Sequence, residues 1–164
     1  MRTFLTAALI GVLTALPAAR ADEQKVALDK LPAAVTATLK KRFPHADVTG
    51  ASKEVEDGKT MYEVSLKDGG SKIDATFSAD GKLATIEKQI TMKQLPQKVT
   101  ATLAAKYPGA KYEIIEEVTQ VKDGAETLAY YEVLVATADN KKVEVEIGAD
   151  GVVKKTEDKT GKKD

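Results

Sequence analysis

Leu31-Pro32-Ala33-Ala34-Val35-Thr36-Ala37-Thr38-Leu39 returns 64 residues later as Leu95-Pro96-Gln97-Lys98-Val99-Thr100-Ala101-Thr102-Leu103. Self-similarity of this kind predicts one supersecondary unit used twice. The match runs on through Phe43-Pro44-His45-Ala46 against Tyr107-Pro108-Gly109-Ala110. It resumes as Met61-Tyr62-Glu63-Val64 against Tyr130-Tyr131-Glu132-Val133, with the offset grown to 69. Each copy closes on Ala-Asp-Gly, at Ala79-Asp80-Gly81 and Ala149-Asp150-Gly151, an offset of 70. The added residues therefore all precede the last turn, and the second copy is expected to carry a longer first hairpin.

Within each copy the apolar spacing changes from four to two. Leu31, Val35, Leu39 and Phe43 fall on one stripe of a helix, as do Leu95, Val99, Leu103 and Tyr107. Pro32 is placed in the first turn, where a missing N–H costs no bond, and Pro44 and Pro108 stop the two helices. Tyr62, Val64 and Leu66 then alternate with polar residues, Asp68-Gly69-Gly70 turns, and Ile73, Ala75 and Phe77 alternate again. Tyr131, Val133 and Val135 repeat the pattern, joined through Asp139-Asn140 to Val143, Val145 and Ile147. Less regular runs bracket these, at 48–55, 83–90, 112–121 and 152–157. The expected fold is α+β, a tandem repeat of one helix plus a four-stranded antiparallel sheet. Clean alternation means one buried face per sheet, so the helices lie on one side and the other side is open. The two sheets are expected to join or stack to enlarge a small core. No apolar periodicity continues from Lys154, and that tail is expected to fray.

The N-terminus reads as an export leader. Arg2 precedes an uncharged run from Phe4 to Leu16, too short to span a bilayer, and Ala19-Arg20-Ala21 offers the small residues a signal peptidase requires. Cleavage is expected after Ala21. The units are then 1–21 leader, 22–90 first repeat, 91–157 second repeat and 158–164 flexible tail. Without Arg2 and Arg20, 23 basic residues face 25 acidic ones, a net charge of −2. That balance carries no nucleic-acid footprint, and the chain has no cysteine to build a disulfide or a thiolate metal site.

Leu-Pro-x-x-Val-x-x-x-Leu, an aromatic-Pro pair, Tyr-Glu-Val and a closing Asp-Gly, in tandem behind a leader, resemble the PepSY-like family, also described as beta-lactamase-inhibitor-like. The resemblance covers nearly all of 28–155. It implies a helix packed on a four-stranded antiparallel sheet in each repeat and a sheet face able to grip a partner. It also implies a role as inhibitor or regulator of secreted peptidases or other hydrolases.

The residues themselves offer little chemistry. His45 is the only histidine, sits in a turn after Pro44, and aligns with Gly109 in the other copy. No nucleophile has a base and an orienting group beside it, and the glycines form neither a GxGxxG nor a P-loop. No catalytic, cofactor or metal site is expected. Attention falls instead on the open face. Met61, Glu63, Ser65, Asp74 and Thr76 line it in the first copy. Tyr130, Glu132, Leu134, Glu144 and Glu146 line it in the second, mixing an aromatic, an aliphatic and three acids. From these, Met61, Glu63, Asp74, Tyr130, Glu132, Leu134, Glu144 and Glu146 are the candidate partner-binding residues. The first expectation is an exported, non-catalytic binding protein, periplasmic or secreted, whose partner is an exported protein such as a peptidase or hydrolase. The alternative is a small-ligand or cation sensor using a groove between the copies, motivated by Glu132, Glu144 and Glu146. A structural envelope protein without a ligand is the third.

Overall fold

The computed structural model describes residues 24–56 and 58–161. The expected leader and its cleavage point after Ala21 lie outside them. A short strand β1 (Gln24–Lys25) precedes helix α1 (Ala33–Arg42), which is followed by β2 (Asp47–Glu56), β3 (Lys59–Asp68), β4 (Ser71–Ser78) and β5 (Leu83–Gln89). Helix α2 (Gln97–Lys106) is followed by β6 (Lys111–Lys122), β7 (Ala125–Ala136), β8 (Lys142–Ile147) and β9 (Val153–Asp158). All nine strands form one antiparallel sheet in chain order.

Both helices lie against the same face. Val35, Leu39 and Phe43 pack with Val64, Leu66, Ile73, Ala75, Phe77 and Ile86 in one core. Leu95, Val99 and Leu103 pack with Ile115, Tyr131, Val133, Val135, Val145 and Ile147 in the other. Each Val, Leu, Ile or Phe among them contributes roughly 1.5–3 kcal/mol when fully buried. The stripes therefore drive both helices onto the sheet.

The helix starts differ slightly from expectation. Pro32 and Pro96 stand one residue before their helices, in extended conformation, rather than inside the first turn. Phe43 and Tyr107 close the helices, since a residue before proline avoids the helical region.

The sheets join edge to edge and do not stack. The junction is β5 on β6, with Thr85 opposite Gln120, Glu87 opposite Val118 and Gln89 opposite Glu116. Strand β6 serves both cores: Ile115 is buried in the second, and Val121 packs against the first. The longer second hairpin makes this possible, because β6 and β7 run 12 residues each where β2 and β3 run 10. At its tip Glu126 reaches back to Arg42 at the end of α1, 2.7 Å away. Both side chains are over 40% exposed, so Arg42→Ala is expected to lower stability by no more than about 0.5 kcal/mol in urea unfolding. A larger loss would mean the clasp, and not Val121, holds the hairpin down.

The tail expected to fray from Lys154 is instead ordered through Thr160. Residues 153–158 form β9 against β8. Beyond it, the Lys142 N–H donates to the Thr160 hydroxyl and the Lys159 N–H to the Lys142 carbonyl. Backbone pairing with β8 and ion pairs described below compensate for the missing apolar alternation.

The acidic open face

Register fixes which side chains share the face away from the helices. Ser65 stands opposite Asp74, Asp74 opposite Glu87, Glu87 opposite Val118 and Val118 opposite Tyr130. One step along, Glu116 is opposite Glu132 and Glu132 opposite Glu146, while Leu134 lies between Ile114 and Glu144. Residues directly opposite in an antiparallel pair point the same way. All the expected open-face residues, Met61, Glu63, Ser65, Asp74, Thr76, Tyr130, Glu132, Leu134, Glu144 and Glu146, therefore lie on one continuous surface. They do not converge on one point. Met61 and Glu63 on β3 are five strands from Glu144 and Glu146 on β8, roughly 24 Å across a sheet with strands about 4.8 Å apart.

Three residues at the middle of this face, Glu87, Glu116 and Val118, were not among the candidates read from the sequence. Val118 is 1% exposed yet belongs to neither helix-side core. In the register it sits between Glu87 and Tyr130, so its burial draws the two neighbouring polar side chains out of water. Burial pushes the Glu87 carboxyl up to about 8, with Glu132, Glu116, Glu63 and Asp74 adding like-charge repulsion. Glu132 rises to about 7 for the same reasons, burial first and then Glu144, Glu116 and Glu146, with Lys159 pulling against them. Glu116 is raised by burial and by Asp74 and Glu144. The Tyr130 hydroxyl is raised as well, by burial and by Glu146 and Glu132. Lys154 reaches over the Tyr130 ring, 5.8 Å from its centroid, and donates to the Ala129 carbonyl.

Toward β9 the acids meet bases. Lys155 pairs with Glu146 at 3.3 Å and Glu157 at 3.7 Å. Lys159 pairs with Glu144 at 2.8 Å and Glu157 at 3.5 Å. A depression of about 180 Å³ lies here, lined by Ile114, Glu116, Glu132, Leu134, Glu144 and Lys159. Ser65 donates to Asp74 at 2.6 Å at the other end of the face. Among the described residues, no group of three or more His, Cys, Asp or Glu side chains is placed to hold a metal ion. His45 is exposed, in the turn after α1. Among the described residues no helix is long and apolar enough to cross a membrane.

One antiparallel sheet backed by two helices, with a charged face left open, defines an open-faced sheet scaffold. The sequence profile described as "Putative beta-lactamase-inhibitor-like, PepSY-like" matches residues 19–85 and 60–155, and the chain belongs to that family. Solved structures share the fold. A DUF2874 family protein from Bacteroides uniformis superposes with a TM-score of 0.66 at 23% identity, over 80% of this chain and 92% of that one. A BLIP-like protein from Bacteroides fragilis gives 0.60 at 20% identity, over 81% and 90%. A protein from Bacteroides eggerthii described as periplasmic gives 0.64 at 19% identity, over 79% and 89%. No curated protein matches the chain.

Proposed function

We propose that this is an exported, non-catalytic binding protein, built by duplication of a helix-plus-four-strand unit, that regulates an extracytoplasmic hydrolase through its open sheet face. The observation that carries the reading is the run of directly opposed carboxylates at Asp74 and Glu87, Glu116 and Glu132, and Glu132 and Glu146. Like charges opposite one another destabilise a sheet, and burial has already raised three of them. A fold gains nothing from that arrangement, whereas a face meeting a basic surface does. Family membership and the periplasmic description of the Bacteroides eggerthii relative support export and the binding role.

Affinity capture from the envelope and secreted fractions tests it, using the chain from Asp22 onward beside a Tyr130→Ala, Glu132→Lys, Glu146→Lys variant. The expected result is a hydrolase retained by the wild type and lost by the folded variant. Equal retention by both would remove the open face from the binding role, and retention of nothing would remove the regulator reading.

A further inference from the structure

The depression at the β6–β8 end of the face already holds a lysine. The Lys159 ammonium lies at its edge, 14% exposed, bonded to Glu144 and Glu157. Glu116 and Glu132 line the same depression, and among the described residues neither has an ion pair within 4 Å. Ile114 and Leu134 supply apolar wall, Ile114 being 36% exposed. Carboxylates around an ammonium with aliphatic side chains along its stem are the two halves of what a lysine side chain needs, since its butyl chain packs while its head stays charged. Above the raised pH at which Glu116 and Glu132 ionise, three lining carboxylates against one lysine leave an unmatched negative surplus.

Resting on the binding role proposed above, we infer that this depression is a seat for a lysine side chain of the partner, and that Lys159 is its built-in competitor. Lys159 follows β9 directly, so its local concentration is high and it weakens any incoming lysine. A partner that displaces it gains Glu144 along with Glu116 and Glu132.

The test is an NMR titration of the protein at pH 8 and low salt with the peptide acetyl-Gly-Gly-Lys-Gly-Gly-amide, and with the same peptide acetylated on the lysine. Shifts are expected at Glu132, Leu134 and Glu144 with the first peptide and not the second. Lys159→Gln is expected to bind about fivefold more tightly, and Glu132→Gln with Glu144→Gln about tenfold more weakly. Lys159→Arg keeps the cation and is expected to bind no better than wild type. Lys82→Gln, which removes one positive charge at a distant turn, controls for net charge. Equal binding of the acetylated peptide, or shifts confined elsewhere, would overturn the seat. A gain in Lys159→Arg or Lys82→Gln equal to that in Lys159→Gln, or no gain in Lys159→Gln, would overturn the competitor. Either outcome is separable from the capture experiment, in which Tyr130, Glu132 and Glu146 are altered together and no peptide is used.

Discussion

Gly81→Ala is expected to lower the unfolding free energy by about 3 kcal/mol, measured as a fall in the urea midpoint at unchanged slope. Gly81 has φ of +83°, a region that costs an L-residue roughly 1–2 kcal/mol. A Cβ there would lie 2.6 Å from the Ala34 carbonyl carbon and oxygen and 2.8 Å from the Ala34 Cβ. Those are atoms of α1 itself, so the helix must move, and overpacking of this kind costs a further 1–3 kcal/mol or so. The Gly81 carbonyl also accepts from the Thr38 hydroxyl at 2.8 Å. Displacing the turn strains that bond too. The second half repeats the device: Gly151 has φ of +82°, its added Cβ would lie 2.8 Å from the Lys98 carbonyl oxygen, and Thr102 donates to its carbonyl at 2.9 Å. Gly151→Ala should therefore behave alike. Gly58→Ala has the same sign of φ but open space around it, and is expected to cost only about 1 kcal/mol. If Gly81 and Gly58 cost the same, helix contact is not what selects glycine at the closing turn.

That contact also explains why two distant stretches were legible together. The threonine of Thr-Ala-Thr-Leu and the glycine of Ala-Asp-Gly meet in space, so their joint recurrence reports one packing contact made twice. The helix stripes and the alternating strands β3, β4, β7 and β8 were readable because each buries one side, which imposes the period directly. Strands β2, β5, β6 and β9 read less regularly. Bulges interrupt the register at Val48 to Gly50, Thr76 to Phe77, Tyr112 to Ile114 and Glu146 to Ile147, and each breaks a two-residue rhythm. The middle of the face was missed for a related reason. Glu87 and Glu116 become neighbours through the β5–β6 junction, a pairing between halves that no pattern within one copy encodes. Lys159 was missed because its order comes from ion pairs and backbone bonds, which leave no apolar period to read.

Stability is expected to fall as pH rises from about 5 to 8, and Glu87→Gln should abolish much of that fall. A carboxyl raised to about 8 in the folded state, against an ordinary value of 4.5, binds more protons folded than unfolded between those values. Stability then decreases with pH across that interval, being highest where both states are protonated and lost as pH passes the folded value. Glu132, raised to about 7, acts with the same sign over a shorter interval. The charged groups that raise Glu87 are Glu132, Glu116, Glu63 and Asp74, all acidic, so they act in the same direction as its burial. Asp80 and Asp139 are lowered and work in the opposite sense, but only below the ordinary aspartate value near 4, as pH falls toward their lower folded values. Allowing for the solvent that still screens the face, Glu87→Gln is expected to stabilise by about 2 kcal/mol at pH 8.5 and by almost nothing at pH 4.5. Urea unfolding of both proteins across pH 4.5 to 8.5 measures it. A gain of equal size at both ends would assign the effect to packing, and a wild-type stability that stays flat or rises from pH 5 to 8 would mean the face is open enough to ionise without strain. The direction bears on function as well. A cationic partner that neutralises Glu87 and Glu132 must release their protons, so it binds more tightly as pH rises through the same interval in which the free protein loses stability.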